Sequence, residues 1–238
     1  MYNMKEKKLK YLKYYDIIFI TLVMFGSAIY SSTLGYYELI NGAVNISENL
    51  YFSELDNWFS TFDELVRLVI VFIYLYIRGF NFSKWKFKIN WKVVLSGIGI
   101  YIISSLIMDL SSFAFGFSLF PLEYTGEHIM IKELLEDISL SLIRFSILNG
   151  FFEEIFFLGI CMNVEENNRI KALIYSMIIR TSFHTYQGIA SALAIGIGIG
   201  LLFYFVYKKD KNKNLAPVMV AHTMSDILGA GIIGFLIY

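Results

Sequence analysis

Two adjacent carboxylates, Glu153 and Glu154, lie within the apolar stretch FFEEIFFL at residues 151–158. Two carboxylates so close together in a low-dielectric site cannot both ionise cheaply, so at least one is expected to favour its neutral form and to suit a general base. One glutamate could take a proton from water while the other orients that water or anchors a neighbouring helix. Because consecutive residues lie about 100° apart on a helix, only one can point directly at a shared centre.

Two further polar pairs occur in apolar segments at a spacing of four residues, Arg180 with His184 and His222 with Asp226. This spacing predicts that each pair lies along one helical face. A lone histidine on an apolar helix is more often a packed core residue than a catalyst. Here, a rise of about 1.5 Å per residue places Glu153, His184 and His222 at similar depths, roughly 10 to 18 Å from the basic side. Ionisable groups at such depths are functional candidates by default.

The composition indicates a membrane protein. Of 238 residues, 57% are hydrophobic, 18% aromatic and 17% charged, with a mean hydropathy of +0.59, outside the range of soluble proteins. The net charge is zero, so no global field recruits nucleic acid. Cys161 is the single cysteine; we predict a buried thiol in a fold held by helix packing.

The apolar runs predict an all-α, polytopic membrane bundle of about seven helices, since a span needs roughly 20 apolar residues. We read residues 1–13 as a basic cytoplasmic tail and 14–238 as one transmembrane domain, whose first run is retained rather than cleaved. The predicted spans are 15–34, 62–78, 93–113, 138–162, 171–188, 190–207 and 215–237.

The loop charges predict the orientation of these spans. Lysine and arginine cluster in residues 5–13, 78–92 and 208–213, whereas residues 38–56 and 123–137 are mainly acidic. With seven spans, all three basic segments lie on one side, so the N-terminus is expected in the cytoplasm and the C-terminus outside.

Three other features are assigned to packing or to the membrane interface. In the run GIGIG, Ala192, Gly196 and Gly200 recur every four residues, which favours close helix packing over a nucleotide loop. Asp109 and Arg144 are expected to snorkel near span ends. The aromatic loop 35–60 is expected at the interface.

Three segments resemble the CPBP family, the CAAX protease and bacteriocin-processing (Abi) family. They are EEIFFLG at 153–159, RTSFHTYQG at 180–188 and APVMVAHTMSD at 216–226. The family pattern is a paired glutamate, then a helix-borne histidine, then a histidine with Asn or Asp four residues later. The resemblance covers roughly residues 135–235, which we take as the catalytic portion.

The resemblance implies a helical intramembrane endopeptidase related to the eukaryotic type II prenyl endopeptidases. By position, Glu153 resembles the water-activating base and Glu154 its partner. His184 and His222 resemble residues that stabilise an oxyanion or bind a metal, and Asp226 stands where many relatives have Asn.

Position 158 departs from the family pattern EExxxR, because it is Leu158 here. Leaving the acidic pair without a cation at depth would be costly. We therefore predict that Arg180, one turn before His184, pairs with Glu154. The departure also leaves open a degenerate, noncatalytic member of the family.

A mechanism without a required cofactor is favoured, with a divalent metal such as zinc as the alternative. The family is often labelled a metallopeptidase, and Glu153, His184 and His222 could form a His₂Glu zinc site. The chain lacks the HExxH motif of zinc-dependent intramembrane proteases, as well as GxSG and GxGD. These absences favour a glutamate-activated water.

Three functions compete at this point. The leading one is hydrolysis of a membrane-associated or small peptide precursor, such as a bacteriocin or signalling peptide, in a bacterial cell membrane. The second is a noncatalytic immunity or regulatory protein that binds a peptide. The third is a proton-coupled transporter, although no clear inverted repeat occurs in the sequence. The expected partners are a peptide substrate and the lipid bilayer, with no nucleic acid.

Overall fold

The computed structural model describes residues 9–44, 52–115 and 138–231, and within these ranges the regular structure is helical apart from two isolated backbone bridges. The all-α prediction is therefore confirmed for this part of the chain. Seven helices are present there: α1 Tyr14–Ile40, α2 Glu54–Ile77, α3 Trp91–Phe115, α4 Leu140–Glu154, α5 Arg169–Ser182, α6 Ile189–Lys209 and α7 Ala216–Leu228.

Three of the described helices, α1, α3 and α6, are long and apolar enough to cross a membrane, with 27, 25 and 21 residues. They support a membrane protein. The predicted count of seven spans is not confirmed, because α5 and α7 have only 14 and 13 residues, fewer than the roughly 20 that a straight span needs. The orientation of the spans stays a prediction. The acidic segment 123–137, on which it partly depends, lies outside the described residues.

Two predicted helix ends were wrong. The fifth span was predicted to reach residue 188, but α5 ends at Ser182 and a short 3₁₀ turn, Thr185–Gln187, follows. Gly188 has φ +86° and Gly229 has φ +84°, a backbone conformation that helices do not contain and that glycine adopts readily. Gly229 ends the seventh helix at Leu228, before the predicted end at 237; residues 232–237 lie outside the described ranges.

Helix α7 lies close to both α3 and α4 because glycines face it. A Cβ on Gly97 would lie 2.5 Å from Val220 Cγ1, and one on Gly150 would lie 2.9 Å from Thr223 Oγ1. The Thr223 hydroxyl also donates to the Ser146 carbonyl at 3.2 Å. This contact between α4 and α7 brings His222 to the end of α4.

The packing role of the GIGIG run is confirmed. A Cβ on Gly196 would overlap the side chain of Thr181 in α5, and one on Gly200 would meet Met177 at 3.7 Å. Cys161 is fully buried, as predicted. These contacts place α6 against α5, which carries Arg180.

Three further predictions concern Arg144, Asp109 and the loop 35–60. Arg144 is exposed, with its guanidinium 5.0 Å from the centre of the Trp58 ring, and its snorkelling stays a prediction. Asp109 is partly buried in the last two turns of α3. Much of the predicted loop 35–60 is helix, because α1 extends to Ile40 and α2 begins at Glu54; residues 45–51 lie outside the described ranges.

Candidate active site

The acid pair lies at the end of α4, where the helix widens. Glu153 and Glu154 are 4% and 0% exposed, and the next six residues, Ile155–Ile160, form a π-helical segment that is buried throughout. Wider turns of this kind occur often at functional sites. The two carboxylates thus enter the interior from adjacent positions and meet different neighbours.

Glu154 is fully engaged by two donors. Arg180 Nη2 donates to its Oε1 at 2.8 Å and to its Oε2 at 3.0 Å, and His222 Nδ1 donates to its Oε1 at 2.8 Å. A buried carboxylate is tolerated when its oxygens are paired in this way. Glu154 therefore joins α4, α5 and α7, the anchoring role that the sequence allowed for one of the two glutamates.

Arg180 supplies a cation to the acid pair. It is 3% exposed, and its guanidinium lies 4.1 Å from the centre of the Phe157 ring and 5.5 Å from that of Phe203. Aromatic faces stabilise a desolvated cation. The predicted pairing of Arg180 with Glu154 is confirmed, while Leu158 packs in the core at 3% exposure.

Glu153 differs from its neighbour, because its Oε2 atom is buried and has no hydrogen-bond partner among the described residues. His222 Nε2 lies 3.8 Å from this oxygen, too far for a direct hydrogen bond. A polar separation of this size suits a bridging water. Glu153 Oε2 and His222 Nε2 therefore mark the place where a reacting water can bind.

Asp226 lies close to the same ring nitrogen of His222 as Glu153 does. Its Oδ1 is 3.7 Å from His222 Nε2, and its Oδ2 accepts a hydrogen bond from Asn149 Nδ2 at 2.9 Å. The prediction that His222 and Asp226 share one face of a helix is confirmed. Asn149 was missed in the sequence, although it lies one turn before Glu153 on the same helix and so on the same face.

His184 is held beyond the end of α5 rather than on the helix, which corrects the expectation of a helix-borne histidine. Its Nδ1–H donates to the Arg180 carbonyl at 2.7 Å, and its ring packs 4.3 Å from that of Phe183. With Nδ1 protonated, the neutral ring leaves Nε2 as an acceptor. No hydrogen bond or ion pair joins His184 to the acid pair in the part of the chain that the structure describes.

Glu64 on α2 is a second residue that the sequence analysis missed. Its Oε2 is buried without a hydrogen-bond partner in the described ranges, and its charge interacts with those of Glu153, Asp226 and His222. Helix α2 packs directly against α4. A carboxylate inside the predicted span 62–78 was the available signal.

Three residues of the site could offer ligands to a metal ion. Glu153, Glu154 and His222 offer ligand atoms within 4.8 Å of one another, a group that contains Glu154 instead of the predicted His184. Both Glu154 oxygens and His222 Nδ1 are already hydrogen-bonded. Within this group the ligand atoms without a hydrogen bond belong to two residues, Glu153 and His222, and catalytic zinc sites use three protein ligands. The group as arranged does not complete such a site.

One comparison with known proteins bears on this site. Residues 136–228 match the family model described as Type II CAAX prenyl endopeptidase Rce1-like. This segment is similar to the CAAX protease family. The match covers less than half of the chain, and no curated protein and no solved structure matches.

The matched segment contains the whole of α4 to α7. It therefore includes the acid pair, Arg180, His184 and His222, and it falls within the predicted catalytic portion at 135–235. Glu64 lies outside it. The family supports a protease-type function in the membrane, and the roles of the individual residues stay predictions.

Proposed function

We propose that this chain is an intramembrane endopeptidase that hydrolyses a peptide bond through a water activated by Glu153. The observation that carries the proposal is the contrast within the acid pair: Glu154 is fully paired, whereas Glu153 Oε2 is buried, unpartnered and 3.8 Å from His222 Nε2. A general base must face its water and not be occupied by a cation. Of the two glutamates of the acid pair, Glu153 meets this condition and Glu154 does not.

The reaction follows from the positions of these atoms. Glu153 accepts a proton from water, and the resulting hydroxide attacks the substrate carbonyl carbon. His222, protonated at both nitrogens, donates Nδ1–H to Glu154 and directs Nε2–H to the developing oxyanion. As the C–N bond breaks, Glu153 returns its proton to the leaving amine. Water thus supplies the hydroxyl of the new carboxyl group and the hydrogen of the new amine.

The surrounding residues hold this geometry. Arg180 fixes Glu154, which in turn fixes the His222 ring, while Asn149 orients Asp226 beside His222 Nε2. We propose that no metal is required. Cleavage that persists after exhaustive chelation would support this, and a loss of activity that zinc restores would contradict it.

The proposed substrates are membrane-associated or small peptide precursors, including bacteriocin or signalling-peptide precursors, processed in a multi-pass protein of a bacterial cell membrane. The family name points to prenylated peptides for the proteins it describes. For this chain, the buried position of the acid pair among apolar helices supports a substrate that enters from the bilayer.

The test compares the membrane and secreted peptides of cells that carry wild type or Glu153→Gln. We expect one precursor to accumulate and its fragment to disappear in the variant. Glu165→Gln is the matched control, because Glu165 is exposed and forms only a surface ion pair with Lys13. Identical peptide profiles in wild type and Glu153→Gln would contradict the proposal.

A noncatalytic peptide-binding protein is the second candidate, favoured by the presence of Leu158 where the family has arginine. Alanine substitution separates the two functions. If Glu153→Ala and His222→Ala are stably expressed and keep the cellular phenotype, binding explains the function. If both abolish it, catalysis does.

A further inference from the structure

A second polar region lies beyond the π-helical segment, on the side where the basic loops meet. It is a pocket of about 370 Å³ between the segment that follows α2, residues 158–163, the start of α5 and the end of α6. Five basic side chains line it and no acidic one does: Lys84, Lys86, Arg169, Lys208 and Lys213. The pocket is distinct from the acid pair and has the opposite charge.

Most of this positive charge is not neutralised by the protein. Within the described ranges, Arg169 alone among the five pairs with a carboxylate, that of Glu166 at 2.9 Å. Lys213 Nζ donates to backbone carbonyls, including that of Tyr207 at 3.2 Å. Lys86 and Lys208 are exposed and form no ion pair with the described carboxylates. The pocket thus offers at least two cations to a ligand.

The pocket also contains a polar group that lacks a partner. Asn163 Oδ1 accepts a hydrogen bond from Lys84 Nζ at 2.7 Å, but the Asn163 Nδ2 donors are buried and unpartnered in the described part of the chain. Leaving a buried donor unpaired is costly. An oxygen of a bound anion can accept from this amide. Burial and the nearby charge of Lys10 also lower the pKa of Lys84, so an anion here would restore a favourable environment.

The walls are aromatic and fixed in place. Trp85 Nε1 donates to the Gly159 carbonyl at 3.1 Å, and a Cβ on Gly159 would lie 2.8 Å from the same nitrogen. Tyr204 and Tyr207 complete this lining. Amphipathic aromatic rings beside lysines are typical of the level where headgroups meet hydrocarbon.

We propose that this pocket binds the phosphate of an anionic phospholipid headgroup. Basic pockets between membrane helices on the cytoplasmic side bind such headgroups, and the volume accommodates a phosphate with its glycerol. The aromatic walls contact the glycerol and upper acyl region, while Lys86, Lys208 and the Asn163 amide contact the phosphate. Basic loops are common on the cytoplasmic side of membrane proteins, so the test must separate the pocket from general surface charge.

The experiment measures the apparent Kd of dioleoyl phosphatidylglycerol for the purified full chain in a neutral detergent by native mass spectrometry. Lys86→Gln/Lys208→Gln removes two charges from the pocket. Lys209→Gln/Lys211→Gln removes the same charge from the same loop region but from residues that do not line the pocket. Each lysine near a lipid phosphate contributes about 1 kcal/mol, so the first variant should weaken binding about 30-fold.

The control variant should change the Kd by less than about 3-fold, and phosphatidylcholine should bind wild type more weakly than phosphatidylglycerol does. Both variants should keep the wild-type Tm without lipid, because the four lysines are exposed. Equal weakening in the two variants, or no preference for phosphatidylglycerol, would overturn the proposal. Displacement of the lipid by millimolar inorganic phosphate would also overturn it and would indicate a site for free phosphate.

Discussion

The two neighbouring glutamates of α4 have the same chemistry and opposite surroundings. Glu154 accepts three hydrogen bonds from Arg180 and His222 and is 0% exposed, whereas the Glu153 Oε2 atom, also buried, has no partner among the described residues. A fully paired carboxylate stabilises the fold and cannot readily take a proton. An unpaired one costs stability and is available for chemistry. The comparison therefore separates a structural residue from a reactive one.

The largest effect on stability is expected from removing Arg180, the cation that pairs with Glu154. Arg180→Leu removes the cation and leaves Glu154 buried and uncompensated, which should lower the free energy of unfolding by about 3–5 kcal/mol. Chemical denaturation in detergent measures this. Arg144→Leu is the control, because Arg144 is exposed beside Trp58, and it should change the free energy by less than about 1 kcal/mol.

Placing an arginine at position 158, where the family pattern has one, tests the same pairing in a second way. Leu158 and Arg180 line one small cavity, so Leu158→Arg placed in the Arg180→Leu background can return a cation to the acid pair. We expect this double variant to recover part of the lost stability. An Arg180→Leu protein as stable and active as wild type would show that the pairing is not needed.

A smaller effect is expected where α4 contacts α7. Gly150→Ala places a Cβ 2.9 Å from Thr223 Oγ1 and 3.1 Å from the Met219 carbonyl, so it should separate the helices and cost about 1–3 kcal/mol. Gly99→Ala is the matched control, because nothing lies within 4 Å of its Cβ, and it should be neutral or slightly stabilising. Equal unfolding free energies for the two variants would contradict the close contact.

The smallest of these effects concerns Asn149. Asn149→Ala leaves Asp226 Oδ2 without its donor, so Asp226 is held less firmly beside His222 Nε2. We expect cleavage to fall about tenfold with little change in Tm. Asn149→Asp should be worse, since it puts a like charge beside Asp226; an Asn149→Asp protein with full activity would remove Asn149 from the site.

The sequence predicted the charged residues around Glu154 better than it predicted Asn149 and Glu64. Glu154, Arg180 and His222 could be identified because ionisable side chains are costly in apolar helices, and a lost arginine at position 158 required a substitute nearby. Asn149 carries no charge, so nothing in the pattern singled it out. Glu64 was missed although it is a carboxylate inside the predicted span 62–78.

Backbone details depended on tertiary contacts that periodicity does not contain. The fifth apolar run continues past Ser182, yet the helix ends there and the chain turns, with Gly188 at φ +86° before α6 begins. Placing His184 on a helix was therefore wrong by only two residues. The π-helical widening after Glu154 was likewise not visible in FFEEIFFL, because a π turn and an α turn bury the same apolar residues.

The most direct test of the central claim is the cleavage rate of Glu153→Gln, measured together with its unfolding free energy. Glutamine has the same shape as glutamate and cannot act as a general base, so the rate should fall by on the order of 10²- to 10⁴-fold. The stability should stay equal or increase, because an unpaired buried carboxylate is removed. A folded Glu153→Gln protein that cleaves substrate at the wild-type rate would contradict the account.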